Sequence, residues 1–153
     1  MYKEFGQFIN GKWQESSNKE TYEVINPATE EVIGNASKAS PEDVNKALQS
    51  AENGLYIWKN TPAWERSYII RRIADRIREK KDILAKWMAL EVGKPLTEGL
   101  AEVNSSADIF EWNAEETKRI YGQTVESRFK DTRVHVYYQP VGVVAALSPW
   151  NFP

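Results

Sequence analysis

The chain has 153 residues, 41% of them hydrophobic, which suits one compact core and is short for two. Its 20 Lys and Arg against 22 Asp and Glu leave a formal net charge of -2, so no excess of positive charge is available for a nucleic-acid backbone or an anionic membrane surface. No cysteine is present, which excludes a disulfide framework, a thiolate metal site and a cysteine nucleophile supplied by this chain.

No stretch approaches the roughly 18 consecutive apolar residues of a membrane span. Met1-Tyr2-Lys3-Glu4-Phe5 lacks the apolar centre of a signal peptide, so a soluble cytoplasmic protein is expected. Six Trp and seven Tyr are many for this length, and they suggest large aromatics in a core or at a subunit contact.

Phe8-Ile9-Asn10-Gly11-Lys12-Trp13 predicts a tight hairpin, because Asn-Gly accommodates positive φ at both turn positions. Thr21 to Ile25 reads as a strand, Asn26-Pro27-Ala28-Thr29 as a turn, and Glu31 to Gly34 as a short returning strand. Ser40-Pro41-Glu42-Asp43 predicts a helix start, with a hydroxyl N-cap, proline at the first position and acids facing the dipole. Val44, Ala47, Leu48 and Ala51 give it an apolar stripe, with Gly54 as the expected stop.

Thr61-Pro62 opens a second helical stretch that runs to Gly93-Lys94-Pro95, with a break expected within Arg78 to Asp82. A third starts near Leu96, carries Leu100, Val103, Ala107, Phe110, Ala114 and Tyr121 at intervals of three and four, and is expected to close at Gly122. The three are expected to pack together. Arg133 to Gln139 then reads as a strand, and Val141 to Leu147 as a buried strand of the parallel kind.

Such a strand requires neighbours and cover, yet only six residues follow Leu147, so the domain reads as interrupted. A loop at the C-terminal end of a strand is the usual ligand position in an open α/β sheet. Here it is Ser148-Pro149-Trp150-Asn151-Phe152-Pro153, stiffened by two prolines and able to hold a side-chain amide in a fixed direction.

Pro140-Val141-Gly142-Val143-Val144 followed by Pro149-Trp150-Asn151-Phe152-Pro153 resembles the start of the dinucleotide-binding domain of the aldehyde dehydrogenase superfamily. The N-terminal Asn-Gly hairpin, the Asn26-Pro27 turn, Trp64, Arg66, Glu91-Val92-Gly93-Lys94-Pro95 and Arg119-Ile120-Tyr121-Gly122 are similar to that family in the same order. The resemblance implies an α/β fold: an N-terminal fragment with a helical bundle, hairpins and the first strand of an incomplete Rossmann-like NAD-binding domain. It divides the chain into 1–121, the N-terminal part of the cofactor-binding domain; 122–140, an oligomerisation-arm hairpin in which Arg133 to Gln139 pairs near residue 127; and 141–153, the first strand and catalytic loop. It further implies a homo-oligomer.

In that family a cysteine thiolate attacks an aldehyde, hydride passes to NAD or NADP, and a glutamate activates the water that hydrolyses the thioester. By resemblance, the Asn151 amide donates to the oxyanion of the thiohemiacetal, as a fixed neutral donor worth roughly 2.7 to 4 kcal/mol. Leu147, Ser148 and Trp150 would lie beside the cofactor, and Phe152 would line the aldehyde tunnel. Ala107-Asp108-Ile109-Phe110-Glu111-Trp112 with Ala114-Glu115-Glu116 looks like the branch acting on semialdehydes of dicarboxylic acids. The absence of Gly-x-Gly-x-x-Gly is shared with the family and does not count against it. Lacking the cysteine, the truncated chain alone is expected to be inactive and to bind the cofactor weakly.

Plainer readings stand beside these. An isolated Asn before Phe-Pro caps its own backbone, and only the surrounding pentapeptide turns Asn151 toward chemistry. Trp150 is equally readable as core or interface. His135, with no second ligand nearby, is read as structural, and no metal site is expected. Glu91 and Glu102 read as solvated or ion-paired rather than as an acid-base pair. Gly93-Lys94-Pro95 reads as a helix stop, since the upstream glycine of a phosphate loop is missing. Arg71, Arg72, Arg76, Arg78, Lys80 and Lys81 read as the wet face of a helix. A second functional reading is a non-catalytic assembly module that self-associates through the exposed edge strand Val141 to Leu147.

Overall fold

The computed structural model describes residues 6–152. The N-terminal pentapeptide read against a signal peptide, and Pro153 of the proline-bracketed loop, lie outside the described residues.

Strands β1 (Gln7–Ile9) and β2 (Lys12–Gln14) form the expected hairpin, with Asn10 at φ 53° and Gly11 at φ 75° in the turn. Phe8 faces Trp13 across the ladder, their rings 5.1 Å apart and tilted by 55°. Strands β3 (Thr21–Ile25) and β4 (Val32–Ser37) pair antiparallel from Thr21 opposite Ser37 to Val24 opposite Gly34, and a register shift before Ile25 puts that residue opposite Val32. Their connection is fixed by Asn26, whose Oδ1 accepts from the Ala28 N–H at 2.9 Å while its carbonyl accepts from Glu30 N–H at 2.8 Å.

Helix α1 (Pro41–Asn60) begins as the sequence predicts. The Asp43 N–H donates to Ser40 Oγ at 3.2 Å and the Ser40 N–H donates to Asp43 Oδ2 at 3.0 Å, a reciprocal capping box behind Pro41. Asp43 is only 2% exposed and also accepts from the Ser17 N–H at 3.1 Å, so the same carboxylate ties the loop before β3 to the helix start. The expected stop at Gly54 is wrong. One mid-helix glycine costs about 0.8–1.0 kcal/mol, too little to end a helix. The helix stops at Thr61, which is extended at φ -74°, ψ 130° because it precedes Pro62.

Helices α2 (Ala63–Glu79) and α3 (Lys81–Val92) are separated at Lys80, inside the segment where a break is expected. Helix α3 ends on Gly93 in the left-handed conformation at φ 72°, and α4 (Leu96–Thr117) starts behind Pro95. The bundle consists of α2, α3 and α4, and its centre is built of small side chains: Ala74, Ala85, Val103, Ala107 and Ala114 are all buried. Gly99 extends that contact, since a Cβ there would meet the Ala85 carbonyl oxygen at 3.2 Å. The expectation that α1 joins the bundle needs correction. Its principal neighbour is β1, and Val44 and Leu48 of its apolar stripe remain exposed.

Nor is the basic cluster simply a wet face. Arg71 bonds Glu111 at 2.6 Å and also pairs with Glu115, while Arg78 reaches Asp108 at 2.7 Å and Glu111 at 2.6 Å, linking α2 to α4. The Arg78 and Arg71 hydrogen bonds hold the Glu111 carboxyl below its ordinary range, and Lys118 and then Arg71 do the same for Glu115.

The last helix ends five residues before Gly122, the expected stop. That glycine has another duty: a Cβ on it would lie 2.6 Å from the Val136 carbonyl oxygen, so it permits close approach at the start of the next hairpin. Strands β5 (Gln123–Glu126) and β6 (Arg133–Val136) pair from Gln123 opposite Val136 to Glu126 opposite Arg133. The pairing expected around residue 127 is met at Glu126, opposite Arg133; Ser127 belongs to the connection, and β6 ends three residues short of Gln139. On β6, His135 has its Nδ1 3.2 Å from Thr124 Oγ1.

Val141 to Leu147 forms no ladder, contrary to the buried strand read from its apolar run. Apolar continuity signals a strand only where neighbours supply hydrogen bonds and cover. Among the described residues the sheets are three separate two-stranded hairpins, and Val141 is 91% and Leu147 94% exposed. No helix of the described residues is long and apolar enough to cross a membrane.

Candidate functional site

The loop that the sequence singles out closes on itself and on the bundle. The Phe152 N–H donates to the Pro149 carbonyl at 3.2 Å, making a turn around Trp150 and Asn151. Lys94, on the connection between α3 and α4, donates from Nζ to the Asn151 carbonyl at 2.7 Å. Its ammonium also lies 4.4 Å from the centre of the Phe152 ring, within cation–π range.

Glu102, in the second turn of α4, forms an ion pair with Lys94, and the two side chains are only 13% and 11% exposed, Lys94 first. A groove of about 640 Å³ opens between loop and helix, lined by Lys94, Glu98, Glu102, Ser105, Asn151 and Phe152 among others. Of the five site residues expected from the sequence, the structure brings Asn151 and Phe152 together in this groove. Leu147 and Trp150 project away from protein contacts, Trp150 being 82% exposed, and Ser148 is exposed between them.

The Asn151 side-chain amide has no hydrogen-bond partner among the described residues, while its backbone carbonyl is held. A fixed backbone with a free NH2 is what a donor to an incoming oxygen requires. Lys94 is the groove residue that sequence reasoning missed, because Gly93-Lys94-Pro95 read only as punctuation. The available signal was modest: Glu98, Glu102 and Ser105 fall on one face at the start of α4, directly after the lysine.

A helical bundle with antiparallel hairpins leading into a proline-bracketed Trp-Asn-Phe loop defines a recognisable piece of a larger α/β architecture. The chain belongs to the aldehyde dehydrogenase family, whose model matches residues 13–153. It is similar to glutarate-semialdehyde dehydrogenase of Pseudomonas putida, at 44% identity over 146 residues, covering 95% of this chain and 30% of the relative. It is also similar to the NADP(+) succinate-semialdehyde dehydrogenase of Escherichia coli, at 41% identity over 145 residues with the same coverage. Among solved structures, an Escherichia coli NADP-dependent enzyme superposes with a TM-score of 0.91 at 41% identity, over 95% of this chain and 30% of that one. The chain thus spans about 30% of the length of the curated relatives it matches.

Proposed function

We propose that the chain is the N-terminal portion of an NAD(P)-dependent aldehyde dehydrogenase that oxidises an aldehyde to a carboxylic acid, with Asn151 as a donor to the oxyanion of the reacting carbonyl. The carrying observation is the Asn151 loop, in which the backbone is tethered by Lys94 and the side-chain amide is left without a partner. When a thiolate adds to an aldehyde, the carbonyl oxygen gains full negative charge. A neutral amide already aimed at that oxygen stabilises the charge without reorganising and without a protonation state of its own. The thiolate must come from outside these residues, since the chain contains no cysteine.

A bound NAD or NADP supplies the hydride acceptor. Leu147, Ser148 and Trp150 fit one wall of a site for it: two large apolar faces and a hydroxyl, all exposed on one segment. They offer no cradle for the phosphates, so this chain alone is proposed to bind the dinucleotide weakly and to be inactive. Phe152 lines the same groove as Asn151, which supports the reading that it lines the approach of the aldehyde. The names of the relatives favour a semialdehyde of a dicarboxylic acid as substrate. The test is an assay of the full-length protein with NAD and with NADP against glutarate semialdehyde, succinate semialdehyde and a neutral aliphatic aldehyde. Cofactor reduction is expected, fastest with the two semialdehydes. A full-length protein that reduces neither cofactor with any aldehyde overturns the proposal.

A further inference from the structure

We infer that Lys94, itself fixed by Glu102, is a positioning residue for Asn151, and that the pair sets the direction in which the Asn151 amide points. The inference rests on the proposed role of Asn151 and assigns this loop a control point on α3 and α4.

A lysine ammonium has three N–H donors and no acceptor. At Lys94 these directions are met by the Glu102 carboxylate, the Asn151 carbonyl at 2.7 Å and the face of the Phe152 ring at 4.4 Å. Two of the three partners belong to the loop. The bond to the carbonyl is charge-assisted and acts on the peptide plane, so it fixes the backbone from which the Asn151 side chain departs while leaving the amide NH2 free.

The ammonium is itself well anchored. Gly93 precedes it in the left-handed conformation that turns the chain out of α3, and a Cβ on Gly93 would lie 3.0 Å from the Pro27 ring, so the Asn26-Pro27 turn backs this corner. Glu102 sits on the first half of α4, and its side chain is slightly more shielded than that of Lys94. Low exposure of both partners, 13% and 11%, separates this pair from the other ion pairs among the described residues, in each of which at least one partner is 35% exposed or more. An ion pair serving only the α3–α4 corner would have no need of the loop carbonyl. Here the loop closes over the same ammonium.

The test is nuclear magnetic resonance on selectively labelled full-length protein, comparing the wild type with Lys94→Met, Lys94→Arg and Glu102→Gln. Hydrogen exchange of the Phe152 backbone amide and the shifts of the Asn151 side-chain NH2 report the loop; the amides of Val103 and Ala107 report α4. Lys94→Met should speed Phe152 exchange about tenfold or more, the scale of a lost charge-assisted bond, and move the Asn151 NH2 resonances away from their wild-type positions. Lys94→Arg should restore most of the wild-type pattern, and Glu102→Gln should fall between. Unchanged loop signals in Lys94→Met with α4 intact overturn the inference, as does failure of Lys94→Arg to restore them. Should Lys94→Met not fold, unchanged loop signals in Glu102→Gln count against it equally. None of these readouts involves turnover, so they stand apart from the role of Asn151: an Asn151→Ala full-length enzyme with undiminished activity would remove that role and leave the loop measurements interpretable.

Discussion

Asp43 joins three pieces of chain that are distant in sequence. It closes the capping box of α1, accepts from the Ser17 backbone, and lies 3.5 Å from the Gln7 amide of β1. The Ser40 backbone bond is the largest cause holding its pKa at about 2, below the ordinary 3.8, with the Ser17 bonds adding to it and burial opposing. A carboxyl whose folded pKa is depressed stabilises the fold above its unfolded pKa and loses that contribution as pH falls through the folded value. Acid unfolding followed by circular dichroism should therefore show a loss between about pH 4 and pH 2 that Asp43→Asn lacks. Removing the cap hydroxyl with Ser40→Ala should cost about 0.5–2 kcal/mol in denaturant unfolding. Ser40, Pro41 and Asp43 were all legible in the sequence, because a capping box is local. The Ser17 and Gln7 contacts were not, since nothing in their own neighbourhoods points toward a helix start more than 20 residues away.

At the scale of elements, the two helical glycines illustrate opposite physics. Gly54 faces open space within α1, and Gly54→Ala should stabilise by about 0.8–1.0 kcal/mol, as a helix interior rewards the added methyl. Gly99 faces the Ala85 backbone, and Gly99→Val should destabilise by about 1–3 kcal/mol through overpacking that the α3–α4 contact has no room to absorb. Equal effects from the two substitutions in thermal unfolding would show that the two positions do not differ in this way. Helix starts, the break at Lys80, the Asn10-Gly11 turn and the left-handed Gly93 followed from local chemistry. Elements that depend on distant partners did not. Whether Val141 to Leu147 pairs in a ladder depends on neighbouring strands, and whether α1 joins the bundle depends on faces presented by other helices. The Arg71 and Arg78 pairs with α4 were hidden for the same reason: spacing along α2 marks a basic face but does not say what lies opposite it.

At the scale of the whole molecule, much apolar surface is exposed. Trp64, Trp112, Tyr56, Ile57, Val141, Val144, Leu147 and Trp150 all stand open, a load that isolated soluble chains rarely carry without associating. The chain alone should accordingly self-associate with rising concentration in light scattering, and a strictly monomeric species at high concentration would contradict that. The same surface is what a chain spanning about 30% of its relatives' length would present to the remainder. The family was legible in the sequence because the loop carrying Asn151 is compact and peculiar in composition. The contact of Lys94 with that loop was not, because it arises only when the loop folds back to a residue 57 positions earlier.

Turnover in the full-length protein probes the proposed role of Asn151 as an oxyanion donor. Asn151→Ala should lower kcat by about 100- to 1,000-fold while leaving cofactor affinity little changed. Wild-type turnover in that variant would rule that role out.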